Sequence, residues 1–301
     1  MVIIENIGAS VLARLKNEAK KQNISFQQIL ILFAQEELLR KISDSSFKDN
    51  FILKGGLLIY SLSGFSARPT IDSDYLVDGL NTSDNSFNDI VTEIIDVDTG
   101  NNFIDFEIKD FEIITEQDKY SGKRVNLISK IRNTRTHIHL DFGVGDTVSP
   151  PARKIKLPVI LLEFEKPEVY VYSIESVIAE KTDAIIMRME TTSRMKDFYD
   201  IYYLALNYNF SISDLSDSLY NTFKNRSTNY QINSIEEIER LASDKILLRR
   251  WSNFYERVLD EKIDFKDVIE VIISFLNPPF KEIFKDNKSE KTWDFKKQKY
   301  L

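Results

Sequence analysis

The sequence predicts an α+β fold: a mixed β-sheet core with flanking helices, followed by an α-helical C-terminal part. Three observations predict it. Two helical patterns lead the chain, at 5–22 and 25–42. Short alternating or continuously apolar segments, separated by Gly and Pro turns, fill residues 51–163. From Ser173 onward the apolar spacing is helical to the end. The expected division is 1–165 for the sheet-bearing part and 166–301 for the helical part.

The elements follow in order. Ser25 with Gln28 three residues on is a capping box, and Phe26, Ile29, Leu30 and Phe33 then recur at helical spacing. Phe51 to Leu53 reads as a short buried strand ending at Gly55-Gly56, Leu57 to Leu62 as a helix, and Gly64 as its stop. Ile71 to Val77 alternates and reads as a strand, 78–86 as a loop and 87–96 as a short helix. Strands are expected near 102–108, 110–116, 124–131, 136–142, 154–156 and 159–163. Helices are expected at 173–190, 195–208, 212–224, 235–244, 246–260, 265–275 and 279–286. There is no internal repeat. The lysine-rich end, 281–301, reads as a solvated tail, with nucleic-acid contact as the alternative.

Composition narrows the function classes. The 43% apolar content supports a packed core. A net charge of −7 argues against a general, sequence-independent DNA binder, which needs a broad basic surface. Without cysteine there is no disulfide framework, thiolate metal site or Cys nucleophile. No apolar run is long enough to span a bilayer, and the N-terminus lacks a signal-like pattern, so a cytoplasmic location is expected.

The chemistry-bearing residues begin with the stretch LKGGLLIYSLSGFSARPTIDSDYLVD, residues 53–78. Side chains alternate along a strand, so Asp72 and Asp74 share one face, with Ile71, Ser73 and Tyr75 on the other. Two neighbouring carboxylates repel unless a proton or cation lies between them. Mg²⁺, a hard ion that shares carboxylates with substrate phosphates, suits the pair. An Asp-x-Asp on a plain exposed strand is the alternative. Asp141 lies on the polar face of a second strand with His137 and His139. If that strand lies beside 71–77, three carboxylates converge, a set able to hold two Mg²⁺ for phosphoryl or nucleotidyl transfer. The histidines are expected in surface or supporting roles. Gly55-Gly56 feeding a helix N-terminus offers backbone N–H groups to a polyphosphate. It is neither a Walker A nor a Rossmann motif, since neither pattern occurs. Lys54 and Arg68 flank this stretch and either meet phosphate or are solvated.

Farther on, Lys181 interrupts the apolar stripe Ile174, Val177, Ile178, Ile185. A lysine there either snorkels outward or meets an anion. In RMKDFYDIYYLAL, Asp197 and Asp200 stand one helical turn apart above the packing residues Phe198, Ile201, Tyr202 and Ala205. They form either a surface salt-bridge ladder or a bracket that orients Lys181 or binds nucleotide.

Taken in order, FILKGGLLIY, RPTIDSDYLV, YSGKRVNL with IHLDFGVGD, YSIESVIAEKTDAI and RMKDFYDIYYL span residues 50–208. In that order and spacing the chain resembles the AbiEii/AbiGii-type nucleotidyltransferase toxins, a branch of the polymerase-β-like superfamily that includes the MenT-type toxins. The resemblance implies a nucleotidyltransferase core with an α-helical domain contributing to the active site. It implies triphosphate contact at Gly55 and Gly56, Mg²⁺ at Asp72 and Asp74, and phosphate contact at Lys181. It implies a completing aspartate at Asp197, in preference to Asp200, and a variable third-carboxylate role at Asp141. Two residues depart from the family pattern. Gly56 stands where many members have serine, and Ser73 stands where an apolar residue is usual, so a buried Ser73 needs a hydrogen bond.

The expected function is Mg²⁺-dependent transfer of a nucleoside monophosphate from an NTP to a hydroxyl. By resemblance the acceptor is the 3′ end of a tRNA or a protein side chain, and the role is the toxin half of a toxin–antitoxin or phage-defence pair with a cognate antitoxin as partner. The alternatives are a kinase-like phosphotransferase and a non-enzymatic binding or regulatory protein on the same fold.

Overall fold

The computed structural model describes residues 7–81, 83–116, 120–259, 262–285 and 289–301. The expected helical residues 5, 6, 260 and 286 lie outside them. The chain forms two compact units, Met1–Gly145 with Arg153–Val171, and Asp146–Ala152 with Tyr172–Leu301.

The first unit comprises helices α1 (Ile7–Lys21), α2 (Phe26–Asp44), α3 (Gly55–Leu62) and α4 (Asp84–Ile95). Its strands are β1 (Phe51–Lys54), β2 (Asp72–Val77), β3 (Asp105–Glu116), β4 (Tyr120–Ile131), β5 (Thr134–Val144), β6 (Arg153–Lys156) and β7 (Glu168–Val171). The strands form one mixed sheet in the order β3-β4-β5-β2-β1-β7-β6. β2 runs parallel to β5 and antiparallel to β1, so the Asp-x-Asp strand is central. Its back face is closed by an aromatic cluster in which Phe51, Tyr75 and Phe87 all pack on Phe142, with ring centroids 5.6, 5.4 and 5.1 Å away. Phe87 reaches the cluster from α4, whereas Phe51, Tyr75 and Phe142 alternate along their strands with residues of the opposite face, which carries Asp72, Asp74 and Asp141. The capping box forms as the sequence predicts: Gln28 N donates to Ser25 Oγ (3.1 Å) and Ser25 N to Gln28 Oε1 (2.9 Å). The two expected strands 102–108 and 110–116 are one strand with a bulge between Ile108 and Asp110.

The apolar run 159–163 is not a strand. Val159, Ile160 and Leu161 are buried in an irregular segment, and the Ile160 N–H donates to the buried Glu36 carboxylate (2.7 Å) rather than to a ladder. Arg40, itself bonded to Glu36 and Glu37, donates from Nε to the Glu165 carbonyl (2.7 Å) and fastens the same segment to α2. The strand in this region is β7, whose Glu-Val-Tyr-Val alternation pairs parallel with β1. The last segment of the first unit ends with this strand at Val171, and the second unit resumes at Tyr172.

The second unit holds α5 (Ile174–Arg188), α6 (Met195–Asn207), α7 (Ile212–Arg226), α8 (Lys245–Val258) and α9 (Phe265–Glu282). A small sheet joins β8 (Phe210–Ser211), β9 (Thr292–Asp294) and β10 (Lys299–Tyr300). Residues Glu236–Ser243 form a 3₁₀ helix, not an α-helix. Helix α9 runs through Pro278-Pro279 instead of breaking into two. Pro279 lacks the N–H that would bond the Phe275 carbonyl. The Tyr300 hydroxyl supplies that bond instead (2.8 Å). The Trp293 indole N–H likewise satisfies the Ala205 carbonyl in the last turn of α6 (2.7 Å). The described part of the C-terminal segment is therefore a packed element rather than a solvated tail.

Candidate active site

In the first unit, β1 passes directly into α3 at the glycine pair. The helix starts at Gly55, two residues earlier than the sequence predicts, and no side chain caps its N-terminus. The first-turn N–H groups of a helix have no intrahelical partner, and the Lys54 side chain does not supply one. Gly55 has φ +69°, a region that favours glycine. A Cβ at this position would stand 2.1 Å from Asp74 Oδ2 and 2.9 Å from Asp74 Cβ. The Asp74 carboxylate thus occupies the space that every other residue type would fill. A Cβ on Gly56 would meet Thr70 Oγ1 at 3.0 Å and Arg68 Nη2 at 3.4 Å. Thr70 and Arg68 therefore fill the space in front of Gly56, where a serine side chain would begin.

Asp72 and Asp74 lie on the open face of β2 and are half-buried. Strand register sets Lys54 and Asp141 on either side of Asp74, and His139 opposite Asp72. The expected adjacency of the two Asp strands is therefore met. Both Asp141 oxygens, however, are taken by Arg124 on β4: Nε donates to Oδ1 and Nη2 to Oδ2, each at 2.7 Å. Among the described residues no group of three or more His, Cys, Asp and Glu side chains is gathered to hold a metal ion. The fit to a divalent cation rests on Asp72 and Asp74, two oxygen-ligand carboxylates on one face, with Asp74 seated in the cradle left by Gly55.

The two histidines differ. His137 is exposed, and His139 Nδ1 bonds Asn126 Oδ1, whose amide donates to Asp110 and to Glu112 (2.7 Å). Since the amide oxygen accepts, His139 Nδ1 carries the proton. Arg124 and Asn126 extend the polar face away from the Asp pair. Neither stood out in the sequence. The signal available was the alternation Arg124, Asn126 against Val125, Leu127, which marks a polar strand face but not its partner. On the other face of β2, Ser73 is fully buried and makes no hydrogen bond of standard geometry among the described residues. Its hydroxyl lowers the Tyr75 pKa, whereas burial and the Asp74 charge raise it above the usual tyrosine range.

In the second unit, Ser173 caps α5, accepting from Ser176 N (3.2 Å). Lys181 on α5 does not snorkel outward. It is buried, and its Nζ donates to Asp197 Oδ1 (3.0 Å) and Asp200 Oδ2 (2.7 Å), both of which are buried on α6. The one-turn spacing of the aspartates lets both carboxylates face one ammonium. Arg194 Nε adds a bond to Asp197 Oδ2 at 2.5 Å. Burial alone would push the Asp197 carboxyl up, but Lys181 and Arg194 together outweigh it and hold the pKa at about 2. The two-way alternative for the KDxxD segment is thus resolved as a bracket on Lys181, not a surface ladder. A second polar hub escaped the sequence reading: Arg226 bonds Asp146 (2.9 Å) and Asp183 (3.2 Å), with Glu180 at 3.5 Å. Its members are scattered over three segments, so no local spacing reveals it.

The family model described as nucleotidyl transferase AbiEii toxin, type IV toxin–antitoxin system, matches residues 37–285. No curated protein matches. Two solved structures are similar. One, described as a candidate nucleotidyltransferase from H. pylori, is 13% identical with a TM-score of 0.49, covering 88% of this chain and all (100%) of its own. The other, JHP933 from Helicobacter pylori, is 14% identical with a TM-score of 0.48, covering 86% of this chain and 94% of its own. The family match takes in the Gly-Gly turn, the Asp-x-Asp strand, Lys181 and the KDxxD helix. The chain belongs to the AbiEii family of nucleotidyl transferase toxins of type IV toxin–antitoxin systems.

Proposed function

We propose that this protein transfers a nucleoside monophosphate from an NTP to a hydroxyl acceptor, using Mg²⁺ held by Asp72 and Asp74. The observation that carries the reading is the packing of Asp74 against Gly55 at the uncapped start of α3. It sets metal-type carboxylates beside the N–H groups of a helix N-terminus, the two things a metal-bound triphosphate needs. When bound, the cation would neutralise phosphate charge and polarise the α-phosphate toward attack. The N–H groups of the Gly55-Gly56 turn would hold the triphosphate, with Lys54 and Arg68 adding positive charge beside it. The acceptor hydroxyl oxygen attacks the α-phosphorus while its proton passes to water, the α–β bridging P–O bond breaks, and pyrophosphate departs with the electron pair.

In the second unit, Lys181 would contact a phosphate through its ammonium, with Asp197 and Asp200 fixing its position. Two carboxylates around one lysine make the cluster a precise anchor rather than a free cation. The acceptor proposed is the 3′ end of a tRNA, the cellular setting is the cytoplasm, and a cognate antitoxin is the protein partner. No helix among the described residues is long and apolar enough to cross a membrane.

The test is incubation of the protein with Mg²⁺, each labelled NTP in turn and total tRNA. A labelled tRNA with release of pyrophosphate is expected, and it should be lost in Asp74→Asn. Absence of any labelled product, together with no Mg–NTP binding by calorimetry, refutes the proposal.

A further inference from the structure

Three facts about the sheet's open face combine. First, Arg124, Asp141 and Asp74 stand in register on the adjacent strands β4, β5 and β2. Second, the guanidinium fork engages Asp141 through Nε and Nη2, the paired geometry that fixes a planar group most firmly. Third, Arg124 keeps about a third of its side chain exposed (34%), and among the described residues its Nη1 makes no bond. A guanidinium held on two nitrogens and open on the third is a donor aimed by its partner. Its charge also feels Asp72 and Glu112 as well as Asp141, so it lies within electrostatic reach of the Asp-x-Asp strand.

We propose that Arg124 is a phosphate-contacting residue of the nucleotide site, and that Asp141 serves as its positioning carboxylate instead of as a metal ligand. This rests on the nucleotidyl-transfer reading above and assigns roles to two residues within it. The arginine fork takes one lone-pair direction on each Asp141 oxygen and balances the carboxylate's charge, which leaves only the outer lone pairs and weakens its pull on a cation. Holding a metal through the inner, bidentate edge requires breaking a charge-assisted pair. The arrangement therefore divides the labour on this face: Asp72 and Asp74 attract the cation, and Arg124 attracts the anion that accompanies it.

The division makes opposite predictions for two ligands, read on the full-length protein by calorimetry and by Mn²⁺ electron paramagnetic resonance. Arg124→Ala should weaken Mg–NTP binding by about 10- to 100-fold, the usual worth of a charge-assisted hydrogen bond. The same variant should bind Mn²⁺ alone at least as tightly as the wild type, because it frees Asp141 beside Asp74. Asp141→Asn should leave Mn²⁺ affinity unchanged while weakening Mg–NTP binding. The double variant should bind Mg–NTP no worse than Arg124→Ala, since the carboxylate acts through the arginine. Arg124→Lys, which keeps charge but not the fork, should fall between, and it guards against a folding defect in the alanine variant.

Loss of Mn²⁺ binding in Asp141→Asn as complete as in Asp74→Asn overturns the proposal. Wild-type Mg–NTP affinity in Arg124→Ala overturns it too. A wild-type protein that binds no NTP overturns the nucleotidyl-transfer reading and this inference together, whereas the other two outcomes leave that reading standing.

Discussion

Replacing Gly55 by alanine tests whether the approach of Asp74 to the backbone shapes the site. Two costs arise. The φ of +69° is unfavourable for any residue with a Cβ, at about 1–2 kcal/mol. The new methyl would also lie 2.1 Å from Asp74 Oδ2 and 2.8 Å from its Cγ. Ordinary carbon contacts need roughly 3.5 Å, so the carboxylate or the helix must shift by about 1 Å or more. Overpacking of this kind costs about 1–3 kcal/mol. The same chain provides a control that isolates the clash. Gly64 has φ +62°, and nothing lies within 4 Å of its would-be Cβ, so Gly64→Ala bears the torsional cost alone. Urea denaturation should therefore show Gly55→Ala less stable than Gly64→Ala by about 1–3 kcal/mol. Nucleotide transfer should fall by about 100-fold in Gly55→Ala, because a displacement of about 1 Å at a reacting centre costs that much. Transfer in Gly64→Ala should stay near the wild-type rate. Equal stability of the two variants, with full activity in Gly55→Ala, would refute the cradle argument.

Three further outcomes are expected. Lys181→Met removes the ammonium that bonds two buried carboxylates, Asp197 and Asp200, and should cost about 3–5 kcal/mol in chemical denaturation. Lys181 and Arg194 hold the folded Asp197 carboxyl at a pKa of about 2, against an ordinary aspartate value of 3.8. Its contribution to stability, about 2 kcal/mol, is therefore complete above pH 3.8 and is lost as pH falls toward 2. An acid titration of Asp197→Asn should lack that component of the wild-type decline. Ser73→Ala removes a buried hydroxyl without a standard hydrogen bond, so thermal melting should show no loss of stability, and a gain of up to about 1 kcal/mol. A loss of several degrees in melting temperature would mean that the hydroxyl is satisfied after all.

Much of the site was legible because the relevant geometry is local. The period of two along a strand puts Asp72 and Asp74 on one face whatever surrounds them. The helical period puts Asp197 and Asp200 one turn apart, and the cap at Ser25 is a four-residue pattern. Even the bulge in β3 left a trace, as the break between two supposed strands. What misled the reading was information that does not travel with spacing. The run 159–163 has the composition of a strand, but its backbone is satisfied by Glu36 from a distant helix. The Pro278-Pro279 pair reads as a helix end, yet Tyr300 replaces the missing donor's bond.

By itself, then, the sequence determined which side chains share a face, since covalent geometry and periodicity decide that. Only the tertiary structure decided what each charge meets. Asp141 stands beside Asp74 on the sheet, and strand β4 brings Arg124 to both of its oxygens. Lys181 could have reached solvent, but α6 places two carboxylates around its ammonium. Pairing between charges depends on which strands and helices become neighbours, and that is fixed by burial of the whole core rather than by any short stretch of chain.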